Sequence, residues 1–146
     1  MCVIAVGHGG VAAAAKTPCT PGVTTIDGGL ARVFCGPARA TATVGKTTYR
    51  FASGSCLHTG GFAVNVGGTL VIGSSEKLSY FGISLPGAAA GSYRGTHASL
   101  AIVVGRRHVS LSTAAGSRVV LDKGLRSGTF VGTDLSGRTI KGSFSC

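Results

Sequence analysis

The sequence predicts an all-β domain, an antiparallel β-sandwich or partly open barrel of about 8–10 short strands joined by Gly-rich hairpins. Three observations predict it. Gly makes up 25 of 146 residues, spread between short runs of Val, Ile, Thr and Phe. The apolar share is 44%, too high for a disordered chain. No segment repeats its apolar residues with the 3.6-residue period of a helix, whereas several alternate with period two. With only 4 Pro and no Gly-X-Y repeat, collagen is excluded.

Residues 1–15 read as the tail of a secretory signal whose start lies upstream. Cys2 to Val6 is a short apolar run, and Ala12-Ala13-Ala14 and Ala13-Ala14-Ala15 both fit a small-x-small cleavage site. Lipid anchoring through Cys2 would need a Leu-small-small stretch before it, and only Met1 stands there. Residues 16–33 hold Thr, Pro and Gly in TPCTPGVTTID and suit a linker or an N-terminal staple. Residues 34–146 form the predicted sandwich. No apolar run of about 18 or more residues exists, so no membrane span is expected.

Within the sandwich, ARATATV sets Ala40, Ala42 and Val44 against Arg39, Thr41 and Thr43, and Gly45-Lys46 turns it into TTYRF, with Tyr49 and Phe51 on one face. The parity then slips at ASGSC, which predicts a bulge at Gly54 that turns Cys56 inward. FAVNVGGTLVIG supplies a strand or two with Phe62, Val64 and Val66 together. SYFGISL aligns Phe81, Ile83 and Leu85, and PGAAAG is a loop. THASLAIVV points Ala98, Leu100, Ile102 and Val104 inward, and HVSLS returns after GRR. RVVLD, SGTFVGT, the turn DLSG and RTIKGSFSC close the domain, with Ile140, Gly142, Phe144 and Cys146 on one face of the last strand.

With Cys2 assigned to the signal, Cys19, Cys35, Cys56 and Cys146 remain. An even number in an exported chain predicts two disulfides, and three pairings are open. A Cys56–Cys146 bond is preferred, because it would clasp the final strand to an early one and close a long loop, worth about 2–4 kcal/mol. Cys19–Cys35 then follows.

The stretches FCGPARATATVGKTTYRFASGSC, NVGGTLVIG, YFGISL and SGTFVGTDLSGRTIKGSFSC resemble small exported Gly-rich β-proteins of actinobacteria, related in style to the mycobacterial 19 kDa lipoprotein antigen family. The resemblance covers residues 34–146. It implies an envelope or extracellular location, agrees with a Cys56–Cys146 bond and brings no catalytic residues with it. The chain departs from that pattern in lacking a lipobox and in having Cys19 and Cys35.

Fourteen Lys and Arg face four acids, Asp27, Glu76, Asp122 and Asp134, for a net charge of +10. Such a balance suits an anionic partner. The bases are scattered singly, without interleaved aromatics, which argues against a dedicated nucleic-acid site. Lys46, Arg106, Arg107 and Arg138 fall at predicted turns, where they would form an anion-binding rim if the turns share one end. TATVGKTTYRFASG and AIVVGRRHVSLSTA echo each other, as any two hairpins of this kind would.

Catalytic signals are weak. No G-x-S-x-G, P-loop or dinucleotide motif is present. Asp122 and Asp134 read as strand-end and turn residues, and His97 and His108 as surface histidines rather than a chelating pair. No cofactor or metal is expected. The leading expectation is a secreted or cell-envelope, non-enzymatic surface or interaction protein. The alternative is a cationic binder of anionic envelope polymer or lipid head groups, and a small secreted hydrolase ranks last.

Overall fold

A computed structural model describes residues 18–26, 28–73, 78–105, 107–110 and 117–146. The segment read as a signal, together with Cys2, lies outside them, as does Arg106. Two antiparallel sheets pack face to face, as a β-sandwich and not a closed barrel. There are more strands than expected, because short pieces pair independently: thirteen among the described residues.

The first sheet holds β1 (Gly22–Ile26), β2 (Gly29–Val33), β5 (Gly54–Leu57), β6 (Phe62–Ile72), β7 (Ser79–Leu85), β9 (Ser99–Val104) and β10 (Arg107–Ser110). The second runs in the order β4 (Thr47–Ala52), β3 (Arg39–Val44), β13 (Thr139–Ser145), β12 (Ser127–Thr133), β11 (Arg118–Leu121) and β8 (Gly91–Arg94). Among the described residues the one helical turn is a 3-10 segment at Gly95–His97.

The core follows the predicted alternation. Ala40, Ala42 and Val44 of β3 are buried, as are Phe62, Val64 and Val66 of β6, Phe81, Ile83 and Leu85 of β7, and Ile140 and Phe144 of β13. Aromatic rings tie the sheets together. Phe62 lies 5.6 Å from Phe144, and Phe81 lies 5.7 Å from Phe51 and 5.5 Å from Phe130. Each pair takes one ring from each sheet, and tilted pairs of this kind add about 0.5–1.5 kcal/mol beyond burial.

One expectation needs correction, and two take a definite form. Within residues 16–33, expected as a linker or an N-terminal staple, β1 and β2 form a hairpin, and β2 pairs with the far half of β6, extending the first sheet. Its polar, exposed Thr residues hide it from a search for alternating burial, because β1 is an edge strand with little to bury. Secondly, the parity slip near Gly54 is not a bulge within one strand. The chain leaves the second sheet after Ala52, turns through Ser53 at φ 66° and enters the first sheet as β5. Gly54 is needed there, because a Cβ would collide with the Asn65 carbonyl and Val66 of β6. Of the strand or two expected in FAVNVGGTLVIG, the chain forms one long strand. Its near half pairs with β5 and its far half with β2, pivoting at Gly67.

The disulfides are Cys56–Cys146 and Cys19–Cys35, with Cα–Cα distances of 5.7 and 5.8 Å. Cys56–Cys146 links β5 of the first sheet to the end of β13 in the second. Cys19–Cys35 spans the open end of the β1–β2 hairpin. Two such bonds are typical of extracellular proteins. No helix among the described residues is long and apolar enough to cross a membrane.

Candidate functional site

Alternation that buries one face of the second sheet must expose the other. Its outward residues come from β4, β3, β13, β12, β11 and β8 in register. One row reads Thr48, Thr43, Lys141, Val131, Arg118 and Arg94. The next reads Arg50, Thr41, Ser143, Thr129, Val120 and Ser92. Arg39 continues the face toward the Cys146 end.

This face carries Arg39, Arg50, Arg94, Arg118 and Lys141, all exposed. One described carboxylate lies at its rim, Asp122, which follows β11 and accepts the hydroxyl of Ser127, the residue in the Arg39–Ser145 row. Between the cations lie hydroxyls, two of which, on Thr43 and Thr48, hydrogen-bond each other at 2.8 Å. No aromatic side chain faces outward there; Tyr49 and Tyr93 point to the core side. The result is a cationic, hydroxyl-bearing surface.

Arg94 and Arg118 are directly opposite across β8 and β11. Such partners have Cβ atoms about 5 Å apart, and like charges there cost stability.

The two described acids of this sheet sit in turns, Asp122 at the rim of the face and Asp134 on the buried side. Asp122 accepts the backbone N–H of Arg126 at 3.1 Å and of Ser127 at 3.3 Å, and the Ser127 hydroxyl donates to it as well. These bonds, the Ser127 hydroxyl foremost, hold its carboxyl below its ordinary range. Asp134 is buried in the DLSG turn. Burial pushes its carboxyl up, but the backbone N–H groups of Arg138 and Ser136, at 2.8 and 2.9 Å, and the Arg138 guanidinium at 2.6 Å outweigh that and leave it depressed. The two acids flank β12 at opposite ends, about 20 Å apart at a strand's rise, so they form no acid/base pair.

Of the four bases expected at turns, Arg106 lies outside the described residues. Lys46 and Arg138 do share an end of the second sheet: the Gly45 N–H donates to the Thr139 carbonyl at 2.8 Å, setting the two turns side by side. Arg138 is committed to Asp134. Arg107 begins β10, at the edge of the other sheet. The cationic face was missed because its residues were judged by sequence neighbourhood. They are adjacent only across strands, and the signal that reveals them is the polar parity of each strand.

The backbone sets His97 and His108 apart. His97 lies in the 3-10 turn, whereas His108 pairs with Val103, six residues further along. Among the described residues no three His, Cys, Asp or Glu groups gather as a metal site. A cleft of about 380 Å³ has Cys35, Cys56, Cys146, His58 and Arg126 in its wall, but its sulfurs are bonded in disulfides and offer no nucleophile. On the outer face of the first sheet the Tyr80 hydroxyl donates to Asn65 at 2.7 Å, and burial pushes its pKa up.

No family model, no curated protein and no solved structure matches this chain. The functional reading therefore rests on the charged face and the fold that presents it.

Proposed function

We propose that this is a non-catalytic, exported interaction module that holds an anionic polymer of the cell envelope or its surroundings on the outer face of its second sheet. The observation that carries the reading is the segregation of charge: five cations share one sheet face with a single described carboxylate, Asp122 at its rim, held by turn hydrogen bonds. Exposed cations spread over a surface act as solvating groups, but a field of predominantly one sign attracts and retains a polyanion. The two disulfides support an oxidising, extracellular setting, and the resemblance to exported Gly-rich β-proteins of actinobacteria supports the same one.

A non-catalytic role is favoured by the commitments of the described acids. Both are held ionised by turn hydrogen bonds, the opposite of what a general acid needs.

The test is retention on an immobilised polyanion, dextran sulfate for instance, at increasing salt. Retention that collapses as the Debye length shortens, and that R118S/K141S weakens more than R32S/R107S on the first sheet, supports the reading. Equal loss from both pairs overturns it, since net charge alone would then account for binding.

A further inference from the structure

The sandwich is left open along the β4 edge. β4 ends the second sheet, and among the described residues it pairs only with β3. Gly45-Lys46 is a two-residue turn, so Val44 and Thr47 beside it form a hydrogen-bonded pair, and such pairs alternate along the hairpin. Thr47, Tyr49 and Phe51 therefore bond to β3 through their backbone groups. Thr48, Arg50 and Ala52 turn theirs outward, to the open edge. The Thr43 and Thr48 hydroxyls, 2.8 Å apart, fit the closer spacing of a non-hydrogen-bonded pair. The first sheet runs past this edge: β4 packs over β6 and β7, and β2 and β1 continue beyond β6.

Between the edge and this overhang lies a cavity of about 370 Å³, with Arg50, Phe51 and Ala52 on one side and Ile26, Val33 and Leu78 on the other. Ile26 and Val33 stand on the core side of the β1–β2 hairpin, yet both are only half-buried. The hairpin is thus an apolar cover reaching beyond the last strand of the sheet it faces. We infer that this edge accepts an extended peptide of a partner protein as a further strand beside β4, with apolar residues under the overhang and acidic residues alternating with them on the outer face.

In such strand addition the main-chain bonds supply affinity, and pockets for alternate side chains supply specificity. Residues opposite Tyr49 and Phe51 would point into the cavity, and those opposite Thr48, Arg50 and Ala52 would point outward. Arg50 is exposed there, and an acid directly across from it makes a favourable cross-strand pair. A charge on an edge strand guards it against indiscriminate pairing, and on the outer face that guard repels a basic strand while attracting an acidic one. β4 has no Pro to block the rungs. The four acids of this chain, Asp27, Glu76, Asp122 and Asp134, include no two that stand two residues apart, so the partner is another protein and not a second copy.

Titration of the isotope-labelled, oxidised protein followed by NMR tests this with four blocked peptides: TVEVEVT, the same peptide N-methylated at both glutamates, TVKVKVT, and the scrambled VVTEETV. TVEVEVT should move the amide signals of Thr48, Arg50 and Ala52 and slow their exchange with solvent. The other three should bind about tenfold more weakly or worse, the methylated one because the N–H groups it lacks are those that face β4. Ala52→Pro removes an outward N–H without touching a bond to β3, and should weaken TVEVEVT binding similarly. If the methylated or scrambled peptide binds as tightly as TVEVEVT, no strand is added and the inference fails. It fails equally if TVKVKVT binds as tightly, or if TVEVEVT does not bind at millimolar concentration. If the signals that move are those of Arg118 and Lys141 instead, the peptide is held as a polyanion on the charged face, which overturns the inference and leaves the reading above standing. Should Ala52→Pro not fold, the four peptides on the unaltered protein decide by the same criteria.

Discussion

The ring of Phe144 fills the space that a side chain on Gly128 would occupy. The two residues are partners across β12 and β13, and a Cβ at Gly128 would run into the ring and into the Val120 carbonyl. Two residues along, the relation is repeated with the strands exchanged: Phe130 lies opposite Gly142, and a Cβ there would meet the Phe130 ring and the Thr41 carbonyl. Small residues thus let large rings lie flat between the sheets, and the rings cover the glycines in return.

Gly128→Ala and Gly142→Ala should each overpack this layer. The expected loss is about 1–3 kcal/mol of unfolding free energy in urea titrations, with the m-value unchanged. A neutral outcome would mean that the rings can move aside, contrary to the close packing described above.

The two disulfides should differ in weight. Replacing Cys56 and Cys146 by Ala opens a loop with a sequence separation of 90, against 16 for Cys19 and Cys35. The long-range pair should cost about 2–5 kcal/mol and the hairpin pair less, because the hairpin pair spans an exposed edge element. Denaturation of the two double variants under non-reducing conditions measures the difference.

Acid should loosen the second sheet at its turns. Asp122 and Asp134 have depressed carboxyl pKa values in the fold. Their contribution is therefore fully present above the ordinary aspartate range and drains away as pH falls from that range through the depressed native values. Asp134→Asn should flatten the acid limb of a stability-against-pH curve, whereas Lys123→Gln, in the exposed β11–β12 loop, should leave that limb in place.

At the alkaline end the sign reverses. Burial raises the Tyr80 pKa, so the fold favours its neutral form, and its contribution is complete below the ordinary tyrosine value and lost as pH climbs through the raised one. Ultraviolet titration should show a late phenolate step that is missing in Tyr80→Phe.

How much of this could be read from the chain follows from what each residue does. Phe81, Ile83 and Leu85 announce β7 because burial on alternate positions is written into the sequence as alternate hydrophobicity. Gly22–Ile26 and Gly91–Arg94 bury little and lie at sheet edges, so the same test is silent there. The sheet switch at Ser53 and Gly54 registers only as a lost parity, which a bulge would produce equally well. The site is harder still. Arg94, Arg118 and Lys141 are far apart in sequence, and strand order, which no local pattern encodes, is what brings them onto one face.

The Cys56–Cys146 bond also decides how the molecule would carry a load. Cys146 ends a strand held by hydrogen bonds to β12 and β3, and its N–H donates to the Arg126 carbonyl at 2.7 Å. Tension applied there would otherwise peel β13 from its neighbours, one rung at a time. The sulfur bridge instead hands the force to β5, and through β5 to the long strand β6 of the opposite sheet. Pulled from that end, the two layers are strained together, so that they would give way as one unit instead of strand by strand.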